Sequence, residues 1–197
     1  MEIDSFPVNI TIRDGRQVLI REMTPDDAPV MLDFFQALPL EDRLFLRNDV
    51  TRPVVVGRFV LNEDHVRAIV AEHGGRVVGS ATLQREPYGW MTHVGEIRVV
   101  LAHDFQRHGL GTAMIGMLVK RAPSAGIEKM VAMVMQGDVG AERAMERLGF
   151  HKEATLRRHV RDVRGKARDL HVLVNDVSHI WERMEALVED FSPNPGG

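Results

Sequence analysis

Residues His93–Thr112 read HVGEIRVVLAHDFQRHGLGT. The apolar run Val94–Leu101 predicts a strand. Side chains alternate along a strand, so Glu96, Arg98 and Val100 share one face. Leu110, Met114, Met117 and Leu118 keep a helical stripe, which predicts a helix over residues 109–122. Between strand and helix lies Gln106-Arg107-His108-Gly109-Leu110-Gly111. The first N–H groups of a helix have no internal partner, and the helix dipole adds partial positive charge there. Glycines let backbone approach a ligand closely. A loop of this kind binds a phosphate or diphosphate; on spacing alone, Gly109 and Gly111 are equally read as shaping a tight turn.

Two nucleotide motifs do not fit. A Walker A loop needs Gly-Lys-Ser/Thr after its glycines, and none is present. The dinucleotide fingerprint needs three glycines inside a βαβ unit, whereas two stand here after strands that read as antiparallel.

Outward from this segment, Val66–Glu72 and Arg76–Glu86 predict two strands joined by His73-Gly74-Gly75. Val8–Arg13 and Val18–Glu22 predict a hairpin through Asp14-Gly15. Thr24-Pro25-Asp26-Asp27 marks a helix start running to about Leu38, although Pro29 lies deep for a helix proline. Further helices are predicted over Glu41–Asn48 and Val54–Leu61. On the other side, Gly126 ends the helical region, Lys129–Met135 is a buried strand, and residues 139–148 form a short helix stopped by Gly149. Phe150–Val163 and Arg168–Val174 predict a long hairpin turning at Arg164-Gly165-Lys166. Residues 176–190 read as an amphipathic helix, either a cap on the sheet or a homodimer contact, and 192–197 as a frayed tail. The layout is mixed α/β in one domain over residues 1–191.

The 197-residue chain suffices for one sizeable core. Its net charge of −3 supplies no global attraction to nucleic acid or an anionic membrane. No apolar run reaches the ~20 residues of a membrane span, and the N-terminus lacks a secretion signal, so a cytoplasmic location is expected. With 0 cysteines, disulfides and a cysteine acyl-enzyme are excluded. The nine histidines show no metal spacing, so no metal is expected. His103 and His108 read as surface groups.

The Q-x-x-G-x-G segment after an apolar strand resembles motif A of the GNAT acetyltransferases. Ile20-Arg21 with Thr24-Pro25-Asp26-Asp27-Ala28 resembles that family's opening strand and first helix. Asp138–Phe150, DVGAERAMERLGF, resembles motif B, whose usual form begins with Asn. Together these cover residues 18–175. The resemblance implies a central, mostly antiparallel sheet flanked by helices and splayed between the fourth and fifth strands, here 94–101 and 129–135. It implies acetyl-CoA as co-substrate. Val99, Val100 and Leu101 would offer backbone groups to the pantetheine and acetyl carbonyl. Gln106, Arg107, His108, Gly109, Leu110, Gly111 and Thr112 would cradle the diphosphate, and Asp138 takes the position of the motif B asparagine.

Amine acetylation requires that the amine lose a proton, the thioester oxygen be polarised and the thiolate be reprotonated. Many family members use a motif B tyrosine as the acid; that position is Met145 here. Glu96 is the catalytic candidate, weighed against a structural Glu96–Arg98 pair, because a carboxylate on a central strand is costly unless used or paired. Bacterial protein-lysine acetyltransferases of the Pat type carry a glutamate at this position and lack the tyrosine. Their opening region resembles Leu38–Arg47, LPLEDRLFLR. The implied function is direct acetyl transfer in a ternary complex to a primary amine, a protein lysine or a small molecule. The rival is a non-catalytic acyl-CoA-sensing module. The basic stretch Arg157–Arg168 reads as a solvated hairpin or as a receiver for an acidic acceptor.

Overall fold

The computed structural model describes residues 6–46, 48–61 and 65–177. These residues form one eight-stranded sheet in the order β1-β2-β3-β4-β5-β6-β8-β7. The strands are β1 (Val8–Thr11), β2 (Gln17–Glu22), β3 (Val66–His73), β4 (Arg76–Arg85), β5 (Val94–Leu101), β6 (Lys129–Met135), β7 (His151–Arg161) and β8 (Ala167–Asp176). All neighbours are antiparallel except β5 and β6, which are parallel.

Helices cover both faces. Met114, Ile115, Leu118 and Val119 of α4 (Leu110–Arg121) and Met145 of α5 (Val139–Arg147) pack on one face with Ile97, Met130 and Leu173. Met31, Phe34 and Phe35 of α1 (Ala28–Ala37) and Val56 of α3 (Pro53–Phe59) pack on the other with Val70, Val77 and Val100. Each large apolar side chain removed from water in this way contributes about 1.5–3 kcal/mol. Covered on both faces, β4 is buried without interruption from Val77 to Leu83.

Most boundaries agree with the sequence pattern, and the departures have local causes. A 3₁₀ turn over Pro25–Asp27 precedes α1, which places Pro29 in the first helical turn, where its missing N–H breaks no ladder. The helix expected over Glu41–Asn48 is shorter. It is α2 (Leu40–Arg43), tightening into a 3₁₀ turn over Leu44–Leu46. Residues 175 and 176 belong to β8, paired with Met130 and Lys129. The helix expected to begin at residue 176 therefore does not begin there, and residues 178–190 and the tail 192–197 lie outside the described residues.

Candidate active site

β5 and β6 diverge in pairing soon after they begin. Their parallel ladder consists of Val94↔Lys129, Gly95↔Met130 and Glu96↔Val131. β5 stays paired to β4 as far as Leu101, and β6 stays paired to β8 as far as Met135. From Ile97 to Leu101, then, the β6-facing edge of β5 carries no ladder. Close packing holds the junction: a Cβ on Gly95 would stand 2.8 Å from Leu83 Cδ1 and 2.9 Å from Ile127 Cδ1.

Glu96 occupies the last rung of that ladder. It lies on the face opposite Ile97, among Gln84, Thr82 and Val100, as strand alternation requires. Arg98 donates to Glu96 Oε1 from Nε at 3.0 Å and from Nη2 at 2.8 Å. Both side chains are about one-fifth exposed. The structural pair weighed against a catalytic Glu96 is thus formed, where the β5–β6 ladder ends.

At the far end of β5 the chain turns through a 3₁₀ segment, His103–Phe105, into α4. Gly109 is the N-cap of α4, with φ +91°, a left-handed conformation that favours glycine. No side chain caps the helix. Its first internal bond is from Ala113 N–H to the Gly109 carbonyl, so the N–H groups of Leu110, Gly111 and Thr112 stand before the ladder. Arg107 also has positive φ, +64°. Gly111 packs on the end of β5, where its Cβ would meet Leu101 Cδ1 at 3.4 Å. Gln106 points back across the loop, its amide 3.4 Å from both the Leu101 carbonyl and Asp42 Oδ2. Burial, then the neighbouring Glu41, pushes the Asp42 carboxyl above the ordinary carboxylate range. Sequence reading did not link α2 to this loop, and no local signal does so.

The start of α5 differs. Asp138 is its N-cap, and Oδ1 accepts the Ala141 N–H at 3.0 Å. The carboxylate is engaged in folding. Met145, at the position of the family tyrosine, is 6% exposed inside the core and has no proton to give. Tyr88 is 83% exposed in the connection before β5. The β7–β8 hairpin leans on the connection after β6, where Arg168 donates to the Gln136 carbonyl at 3.1 Å. His103 and Arg107 are exposed, and His108 lies 3.4 Å from Asp14.

The GNAT acetyltransferase family model matches residues 31–150, well over half of the chain. The chain belongs to the GNAT acetyltransferase family. It is similar to the acetyltransferase Pat of Mycolicibacterium smegmatis, 25% identical over 148 residues, which is 73% of this chain and 44% of that protein. The chain thus spans under half the length of that curated relative. Among solved structures it resembles the GNAT domain of S. lividans PAT (TM-score 0.70, 19% identity, 86% of this chain and 96% of that one). It also resembles Mycobacterium smegmatis RimJ in complex with CoA-disulfide (TM-score 0.68, 19% identity, 92% and 93%). At these identities the structures show a shared GNAT fold.

The donor set suits the phosphates and thioester that this family's co-substrate carries. The helix start is uncapped and opened by glycine, and the adjoining strand edge has no ladder. Among the described residues no group of His, Asp and Glu could hold a metal ion, and no helix is long and apolar enough to cross a membrane.

Proposed function

We propose that this GNAT protein transfers an acetyl group from acetyl-CoA directly to a primary amine, with both substrates bound together. The observation that carries this reading is the placement of Glu96. The carboxylate stands on the last rung of the β5–β6 ladder, and the uncapped start of α4 follows the far end of the same strand. Acetyl-CoA supplies the activated thioester. The N–H groups of Leu110, Gly111 and Thr112, with Gln106, Arg107, His108 and Gly109 around them, hold its diphosphate. The free edge of Val99, Val100 and Leu101 orients the pantetheine and polarises the acetyl carbonyl. Arg98 yields part of its hold on Oε1 to the incoming ammonium, and Glu96 accepts the amine's proton, directly or through one water; the nitrogen then bonds the acetyl carbon, the carbon–sulfur bond breaks, and CoA leaves as a thiolate that takes up a proton from solvent.

Similarity to Pat supports a protein lysine as acceptor. The exposed Arg157, Arg158 and Arg164 of the β7–β8 hairpin would favour acidic residues around that lysine. The Glu96–Arg98 pair is what favours a second reading, a non-catalytic acyl-CoA sensor in which Glu96 serves folding alone.

One variant separates the two. Glu96→Gln keeps the shape and removes the proton acceptor. The enzyme reading expects kcat on a lysine peptide to fall by about 10²–10⁴-fold, with acetyl-CoA affinity within about threefold of the wild type. A variant that melts lower yet turns over normally per folded molecule would assign Glu96 to structure.

A further inference from the structure

The β1–β2 hairpin precedes the stretch matched by the family model, yet its turn is built onto the loop that opens α4. The Arg13 backbone N–H donates to the His108 carbonyl at 3.1 Å. Arg16 donates to the Asp104 carbonyl at 2.6 Å, and its guanidinium carbon lies 3.7 Å from the ring centroid of the buried Phe105. Asp14 sits 3.4 Å from His108 Nδ1 and accepts two side-chain bonds from Arg16, at 2.8 and 2.5 Å. Those bonds from Arg16 hold its carboxyl down to about 2. The one carboxylate of the turn is therefore matched by the arginine two residues along.

Arg13 is not matched. It is exposed, its side chain has no hydrogen-bond or ion-pair partner among the described residues, and its Nε lies 3.7 Å from where a Cβ on Gly109 would stand. Arg107, also exposed and without a partner among the described residues, lies two residues before Gly109. The Arg13 guanidinium thus lies beside a helix start whose N–H groups are uncapped, and Arg107 precedes that start by two residues in the chain. Their charge adds to that of the helix dipole, and an anion relieves the sum.

We propose that the hairpin completes the coenzyme site and that the Arg13 guanidinium binds a phosphate of the coenzyme. This rests on the coenzyme reading above and extends the site beyond the matched region. The planar fork of an arginine pairs two N–H groups with two phosphate oxygens, which a lysine cannot do. The bridging diphosphate and the ribose 3′-phosphate present the same chemistry, and dephospho-CoA tells them apart.

The experiment is calorimetric titration of the full chain, as wild type, Arg13→Gln and Arg13→Lys, with CoA and with dephospho-CoA. The anchoring bond comes from the backbone, so both variants keep the hairpin in place. Arg13→Gln is expected to weaken CoA about tenfold, and Arg13→Lys to recover part of that loss. An equal loss for both ligands assigns Arg13 to the diphosphate; a loss for CoA alone assigns it to the 3′-phosphate. Arg13→Gln binding both ligands within about twofold of wild type overturns the proposal and leaves the coenzyme reading standing. A folded wild type that binds neither ligand overturns both.

Discussion

Helices α4 and α5 follow the two parallel strands β5 and β6, so both begin at the same end of the sheet, beyond the C-terminal ends of those strands. Their first turns are opposites. α5 starts with Asp138, whose carboxylate accepts the Ala141 N–H. α4 starts with a left-handed glycine and no capping side chain, although it is the longer helix and is the better buried. A side-chain cap contributes about 1 kcal/mol to a helix start. One start has a side-chain cap on one of its N–H groups, and the other has none. Among the described α-helices only α5 carries a side-chain cap bond, since α1, α2 and α3 have none either; what sets α4 apart is the left-handed glycine at its start.

The sharpest way to break the comparison is to put a carboxylate on α4. Gly109→Asp places a negative charge where the coenzyme phosphates are expected, at a φ of +91° that strains any side chain. Coenzyme affinity should fall by about 100-fold or more, equivalent to about 3 kcal/mol. In a melting experiment, acetyl-CoA stabilises the wild type because it binds the native state alone, and the variant should show no such gain. A variant that still gains stability with acetyl-CoA would show that α4 does not hold the phosphates.

A third helix start sharpens the contrast. Asp27, just before α1, accepts the Thr24 N–H at 2.7 Å and two bonds from Arg21, at 2.8 and 2.6 Å. Hydrogen bonding from Arg21 is the main cause that holds its carboxyl below the ordinary range. A carboxyl lowered in the folded state stabilises it fully above the unfolded value, about 4, and loses that effect as pH falls through the folded value. Asp27→Asn should therefore cost about 2 kcal/mol at pH 7 by denaturant melting. The gap between variant and wild type should narrow as pH drops below about 4. A gap that does not change with pH would mean that packing, not charge, secures α1.

How much of this was legible in the sequence depended on how local the cause was. The strand–loop–helix of residues 94–121 follows from apolar spacing, and the start of α1 from Thr24, Pro25 and Asp27. The Glu96–Arg98 pair follows from strand alternation. What decides the site is not local. The ladder between β5 and β6 stops at Glu96 because of how two strands whose partners lie 35 residues apart are packed, and no residue at that point announces it. The hairpin turn reaches Asp104 across 88 residues, and the Asp42–Gln106 contact spans 64. Asp138 is the instructive case. Its position in motif B suggests a coenzyme contact, and the structure adds the bond that its place before α5 makes, Oδ1 accepting the Ala141 N–H.

The smallest predicted effects lie at that same residue and separate its two properties, cap and charge. Asn caps a helix about as well as Asp, and Ala does not. Asp138→Asn should therefore leave the melting temperature nearly unchanged, while Asp138→Ala should cost about 1 kcal/mol. The charge acts differently. If the coenzyme phosphates lie at the neighbouring α4 start, the Asp138 carboxylate repels them across solvent. Both variants should then bind coenzyme slightly more tightly, by about twofold to threefold at low salt. Exposed charges interact weakly, and screening sets in over about 10 Å at 0.1 M salt, so the gain should vanish as salt rises. A loss of affinity in both variants would reverse the reading: the carboxylate would then be accepting a hydrogen bond from the coenzyme, and the two helix starts would be partners in one site rather than opposites.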